Sequence, residues 1–318
     1  MISSLNTSSA EVLRISVVIP VYNGAATIGR ALDSVLAQHY SAHEIIVVDD
    51  GSQDQTAAVV RSYDGRVRYV RQENAGPSAA RNYGVKLASG NWVAFLDADD
   101  WYYPERLARH ARMIEVDSDL DFLVGNFDYR DAEGQHLHDS MSVTVLGREL
   151  LERYGATGQG VIEQEALGRF IVEQFSDTRT LTLPRRIFLE LGGFDEDMKI
   201  CEDLMFLIRL CARSRRAGVV CAASAVYSVH DTGLIRSDRY RAQSETVRAL
   251  RALSGEIGAA PDYIRSAWID LVKKAYLNLA YFLAKSGHKV HAIKVLVRSF
   301  VFHPRLIDLK SLGSILKG

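Results

Sequence analysis

Four short runs of strand-forming residues, three of them leading into polar side chains and each separated from the next by a helix-spaced segment, constrain this chain more than any other feature. The runs are residues 15–20, 44–50, 66–71 and 92–96. Between them, residues 27–38 carry Ile28, Ala31, Leu32, Val35 and Leu36 at helical spacing, a second helix starts at Asp54 or Gln55, and residues 78–88 form a third. Ile15-Ser16-Val17-Val18-Ile19-Pro20 and Glu44-Ile45-Ile46-Val47-Val48 are too continuously apolar for a sheet wetted on one side. The alternation predicts an α/β fold with a mostly parallel central sheet and helices on both faces. In such sheets ligands bind beyond the carboxyl ends of the strands. Tyr22-Asn23, Asp49-Asp50 and Asp97-Ala98-Asp99 should therefore converge on one crevice.

Carboxylates at i and i+2 after a buried strand, as in Asp97-Ala98-Asp99, can hold a hard divalent cation. A solvated turn or a helix cap is the plainer reading of such a pair. Two better-known nucleotide sites lose their support. No Gly-x-Gly-x-x-Gly follows the first strand, and no Gly-x-x-x-x-Gly-Lys-Ser/Thr occurs.

The rest of the chain is less regular. Residues 121–126 read as another strand, and residues 145–175 as helix interrupted by a loop at 155–160. From Gln243 onward the pattern is helical, with Tyr263, Trp268, Val272 and Tyr276 as one stripe and Ile293, Leu296, Val297 and Phe300 as another. Charge is asymmetric: residues 236–318 hold 15 Lys/Arg against 6 Asp/Glu in a chain of net charge −1. The expected organisation is a tail at 1–13, an α/β domain at 14–237 and a helical region at 238–318. That last region docks on an anionic membrane surface, on the α/β domain, or on a second copy as a homo-oligomer. Cys201, Cys211 and Cys221 form no CxxC pair, and no secretory leader or membrane-spanning run is visible. The expected location is cytoplasmic, with the inner face of the membrane as a peripheral docking site, and no nucleic-acid partner.

Several blocks, in order, carry a resemblance. They are Ser16-Val17-Val18-Ile19-Pro20-Val21-Tyr22-Asn23, Val48-Asp49-Asp50-Gly51-Ser52, Asn74-Ala75-Gly76-Pro77-Ser78-Ala79-Ala80-Arg81-Asn82, Phe95-Leu96-Asp97-Ala98-Asp99-Asp100, Gly192-Gly193-Phe194-Asp195-Glu196, Glu202-Asp203 and Tyr227-Ser228-Val229-His230. Together they resemble the family 2 glycosyltransferases of the GT-A fold. The resemblance implies an inverting transfer of a sugar from a nucleotide diphosphate donor, UDP by default, to a hydroxyl of a glycan or lipid-linked acceptor. Cell-surface polysaccharide or glycolipid synthesis is the implied setting, with Mg²⁺ or Mn²⁺ as cofactor. Pro20, Tyr22, Asn23, Ala98 and Arg81 would line the nucleotide site. Asp50 would accept from the base while Asp49 supports the turn, and Asp97 would meet ribose or an ordered water. Asp99 would ligate the metal, with His230 completing the metal or diphosphate site, and Asp203 would be the general base. Glu202, Trp101 and Gly193 would support or contact the acceptor.

Plainer readings stand beside these. Glu202-Asp203 could only start a helix, Trp101 could only pack, Gly193 could only turn, and His230 could be an ordinary loop residue. The family often has a basic residue after the Tyr that precedes the histidine. Here that position is Ser228, and Arg236 is the cation left to supply the charge. The competing classes are a nucleotide-sugar-binding module without turnover and a nucleotidyltransferase. The second would want a basic phosphate loop near the first strand, and residues 20–24 contain no Lys or Arg.

Overall fold

The structure, a computed structural model, describes residues 12–198, 200–229 and 239–302. Strands β1 (Ile15–Val21), β2 (Glu44–Asp49), β3 (Arg68–Arg71) and β4 (Trp92–Phe95) pair in parallel in the order β3-β2-β1-β4. Helices α1 (Ile28–Leu36), α2 (Thr56–Arg61) and α3 (Pro77–Leu87) make the crossovers. The strand period of two divides β1 between two cores. Ile15, Val17 and Ile19 meet Leu32 and Val35 of α1, whereas Val18 meets Ala80 and Val85 of α3. Both faces being covered explains why β1, β2 and β4 are largely apolar, while β3 at the sheet edge, Arg-Tyr-Val-Arg, is not.

The sheet continues through antiparallel insertions. Its order is β3-β2-β1-β4-β9-β6-β10-β5, where β5 is Trp101–Tyr102, β6 Phe122–Arg130, β9 Thr182–Pro184 and β10 Arg216–Ser228. β6 runs four residues beyond the expected end because it pairs in parallel with β10 as far as Ser228↔Arg130. β7 (His136–Asp139) folds back on β6, and α4 (Arg106–Val116) lies between β5 and β6.

The expected loop in residues 145–175 differs from what is found. Between α5 (Val145–Tyr154) and α6 (Gln164–Glu173) lies β8 (Gln159–Glu163), antiparallel to β10. Its sequence, Gln-Gly-Val-Ile-Glu, has little strand character of its own; tertiary pairing supplies it. β10 was equally hard to read, being rich in Ala, Gly, Cys and Ser.

α7 (Arg185–Glu190) and α8 (Glu202–Arg213) precede β10, and α9 (Arg239–Ala252), α10 (Ser254–Ile257), α11 (Asp262–Lys285) and α12 (Lys289–Phe302) follow it. α11 packs on α6, α8, α9 and α12, burying Trp268, Val272 and Tyr276 in the same core as the sheet residues Val18 and Phe95. Gly168 permits the approach of α11 to α6, since a Cβ there would lie 2.5 Å from the Tyr263 carbonyl oxygen. α12 buries Ala292 and Leu296 but exposes Val290, Ile293 and Val297. Among the described residues no helix is long and apolar enough to cross a membrane.

An aromatic cluster ties α7 and α8 to the end of β4. Phe188 lies 5.5 Å from Phe95, 5.3 Å from Phe194 and 5.0 Å from Phe206, ring centre to ring centre. Phe188→Ala should cost about 3–5 kcal/mol of stability by leaving a cavity among rings that cannot collapse onto it. Urea unfolding followed by circular dichroism measures this.

Candidate active site

The carboxyl ends of β1, β2 and β4 open on one cavity of about 780 Å³, lined by Pro20, Tyr22, Asn23, Asp50, Arg81, Asp97, Ala98 and Asp99. Hydrogen bonds between the β1–α1 and β2–α2 loops build its floor. Asn23, at φ 51°, takes the left-handed conformation that Asn tolerates. Its N–H donates to Ser52 Oγ at 2.9 Å, and its Oδ1 accepts from the Gln53 N–H at 2.8 Å. Gly24 N–H donates to Thr56 Oγ1, and Ala25 N–H to Asp54.

Asp49 and Asp50 point different ways. Asp49 is buried under the turn, accepting from the Ser52 N–H at 2.7 Å and from the Tyr69 hydroxyl at 2.5 Å. Burial, then this carboxylate, push the Tyr69 hydroxyl up to about 12. Asp50 faces the cavity and accepts from Gln72 Nε2 and the Ala75 and Gly76 N–H groups, each at 2.8 Å. It therefore fixes the loop before α3 as well as presenting a carboxylate.

Arg81 is placed at the cavity wall but spends its charge on protein. Its guanidinium bonds Asp97 at 2.6 Å and Glu202 at 3.3 Å, joining the end of β4 to the start of α8. Burial opposes that charge, but Asp97 and Glu202 more than restore it and hold Arg81 above its ordinary value. Burial likewise works against the Asp97 carboxylate, yet Arg81, with Arg179 behind it, keeps it below the usual range. Glu202 is raised, first by burial and then by the adjacent Asp203.

Asp203 lies in a second cavity of about 360 Å³. The two cavities share Arg179 and Tyr227 as a common wall. Arg179 Nε donates to Asp100 at 2.8 Å and Nη1 to Asp177 at 2.6 Å, and its plane lies 4.7 Å from Phe127 and 4.3 Å from Tyr227. Burial, reinforced by Asp97 and Asp99, pushes Asp100 up to about 7 against the pull of Arg179. The guanidinium stays charged, raised by Asp100 and Asp177 despite burial.

The remaining predicted residues are spread out. Trp101, on β5, carries the Arg30 guanidinium 3.8 Å above its ring. Gly193, at φ 73°, is wedged against Asn82 and lines a different, outer groove. The Phe194 N–H next to it donates to Asn82 Oδ1. Ser228 fastens the acidic loop: its N–H donates to Asp100 Oδ1 and its Oγ to the Asp99 carbonyl, where Arg30 also donates. His230 and Arg236 lie outside the described residues. Sequence reasoning missed Arg30, Asp177 and Arg179. Thr178–Thr180 is a short 3₁₀ turn in a stretch without periodicity, so nothing local marked it.

Among the described residues no three His, Cys, Asp or Glu side chains form a cage. Asp99 in the larger cavity fits the other mode, in which one protein carboxylate anchors a cation and phosphate oxygens and water fill its shell.

The mixed sheet, with acidic strand ends facing a cavity of about 780 Å³, has the layout expected of a GT-A fold, and solved structures agree. The glycosyl transferase family 2 model matches residues 16–171. The chain is 31% identical to an uncharacterized glycosyltransferase of Rickettsia typhi over 86% of its own length and 76% of the relative's. It is 32% identical to the succinoglycan biosynthesis protein ExoO of Rhizobium meliloti, over 70% of this chain and 62% of that one. The mannosyltransferase PcManGT from Pyrobaculum calidifontis, solved with GDP-Man and Mn²⁺, superposes with a TM-score of 0.62 at 19% identity, covering 96% of this chain and 79% of that one. The chain belongs to glycosyl transferase family 2. It spans from 26% to 76% of the length of the rickettsial relatives it matches.

Arg81→Gln should lower stability by about 1–3 kcal/mol, because it strands a half-buried carboxylate pair that water partly screens. Adding Glu202→Gln should recover part of that loss, a coupling that a double-mutant cycle of urea midpoints reads directly.

Proposed function

We propose that this protein is a metal-dependent, inverting glycosyltransferase whose larger cavity takes the nucleotide diphosphate sugar and whose smaller cavity takes the acceptor hydroxyl. The observation that carries this reading is the shared wall. Asp99 on one side and Asp203 on the other flank Arg179 and Tyr227, so donor and acceptor would meet there. Asp203 takes the proton of the acceptor O–H as its oxygen bonds to the anomeric carbon. The bond from that carbon to the diphosphate breaks on the opposite face, its electron pair leaving with the diphosphate, and configuration inverts.

The lining of the larger cavity supports metal dependence. Among the described residues its acids are Asp50, Asp97, Asp99 and Asp100 and its bases are Arg81 and Arg179, both already paired. A diphosphate there would face net negative charge. A divalent cation, Mg²⁺ or Mn²⁺, anchored by Asp99 would neutralise the leaving group. His230 remains the proposed further ligand from the sequence. Asp50 remains the proposed partner of the base, with a UDP-sugar as the first donor to try. A GDP-sugar belongs in the same panel, as does a glycan or lipid-linked acceptor of the kind used in polysaccharide synthesis. The domain limits at 14–237 and 238–318 stand as a proposal too, as does the choice between membrane and homo-oligomer for the helices.

Asp203→Asn should cut transfer by about 10²–10⁴-fold while leaving nucleotide affinity within a factor of about two. Asp99→Ala should abolish metal-stimulated transfer. Released nucleotide, assayed across the donor panel with metal or chelator, reads both. Full activity of Asp99→Ala in chelator would reject the metal role.

The exposed face of α12 supports peripheral membrane docking. Val290, Ile293 and Val297 stand there beside Lys289, Lys294 and Arg298, all at the surface. Replacing the three cations by Glu should weaken binding to anionic liposomes at low salt by about 100-fold or more, at roughly 1 kcal/mol per cation. Co-sedimentation measures it; equal sedimentation of both proteins would reject this face as the docking surface.

A further inference from the structure

We propose that the cavity beyond Arg179 and Tyr227 is a subsite for an uncharged sugar ring of the acceptor, with Asp177 as the carboxylate that holds a hydroxyl next to the one Asp203 deprotonates. The proposal rests on the transferase reading and deepens it.

Size comes first. At about 360 Å³ the cavity is near the small end of small-molecule sites, roughly 300–1,000 Å³, and suits one ring with its linkage rather than an oligosaccharide. Its walls come next. Tyr129 and Tyr227 stand edge to face, 5.3 Å apart at 88°, and Phe127 lies 5.1 Å from Tyr129. A pyranose has one apolar C–H face and a rim of hydroxyls. Rings in two planes give the C–H face a surface to stack on, and the two carboxylates meet the rim.

Charge selects among sugars. The charged side chains lining the cavity among the described residues are Asp177, Asp203 and Arg179. Arg179 is already held by Asp177 at 2.6 Å and Asp100 at 2.8 Å, and lies against the rings of Phe127 and Tyr227. Its charge is compensated twice, so no lining cation is left for an incoming phosphate or carboxylate. Two half-buried acids then face the ligand. Burial holds Asp177 above its ordinary value, with Asp203 contributing, so the cavity already resists negative charge. A uronate or sugar phosphate would add a third anion, whereas a neutral sugar brings hydroxyl donors that both carboxylates accept. Arg179 is the positioning residue: it aims Asp177 into this cavity while its other edge braces Asp100 beneath the donor site.

The test is saturation-transfer NMR on the full-length protein with methyl glucoside, galactoside and mannoside, against methyl glucuronide and methyl glucoside 6-phosphate. Calorimetry with UDP and GDP runs in parallel. At least one neutral glycoside should bind about tenfold or more tightly than either charged one, the scale of a lost or repelled charge-assisted contact. Asp177→Asn should weaken that binding by about tenfold, narrow the discrimination against the glucuronide, and leave nucleotide affinity within about twofold. Tyr129→Leu, which keeps both carboxylates, should also lose the neutral glycoside. The subsite is overturned if a charged glycoside binds as well as the neutral ones, if no neutral glycoside binds while a nucleotide does, or if Asp177→Asn weakens nucleotide and glycoside alike. Glycoside binding without transfer from any donor would instead sink the transferase reading and leave the subsite standing. Transfer with a preference for the charged glycosides would sink the subsite alone.

Discussion

One buried guanidinium fixes the relation between the parallel half of the sheet and everything after it. Arg81 sits on α3, bonds Asp97 at the end of β4, and bonds Glu202 at the first turn of α8, which is 121 residues away in sequence from Arg81. A charge this deep is tolerable only when paired and hydrogen-bonded. The pairing in turn dictates where α8 begins, and so where Asp203 stands relative to the acidic strand end. Acidic groups from distant parts of the chain are thus joined by ionic contact rather than by the sheet's own hydrogen bonds.

A second layer of order comes from short side chains that replace missing backbone partners. Asp49, Asp50, Asn23 and Asp54 accept N–H groups in loops that have no ladder of their own. Their carboxylate density would repel itself without those donors. Asn23 and Asp50 do both jobs, tying the loops together while lining the cavity, whereas Asp49 and Asp54 serve the turns alone.

The N-terminal half was legible because local and global signals agree there. The inner strands β1, β2 and β4 are largely apolar on both faces, each crossover has helical spacing, and the convergence of Tyr22-Asn23, Asp50 and Asp97-Ala98-Asp99 follows from parallel topology alone. The second half was legible only in pieces. β8 and β10 owe their conformation to each other and to β6, so a single-strand reading of Gln159–Glu163 found no strand. Arg179 gave no signal because its meaning lies entirely in partners on other elements: Asp100 after β4, Phe127 on β6 and Tyr227 on β10. Asp49 and Asp50 show a subtler limit. Adjacent carboxylates look alike in sequence, yet the pleat sends one under the turn and the other into the cavity.

The contact between Gly168 and the Tyr263 carbonyl has a bearing on how such enzymes are recombined. A side chain at 168 would collide with the backbone of α11, and backbone cannot rotate aside. Swapping the C-terminal helices between relatives is therefore not a cut at a linker but a change of one half of a fitted joint. A chimera that imports a foreign α11 must keep this notch open in α6. Otherwise the grafted helix will be levered away from α8, the helix that carries the Asp203 carboxylate.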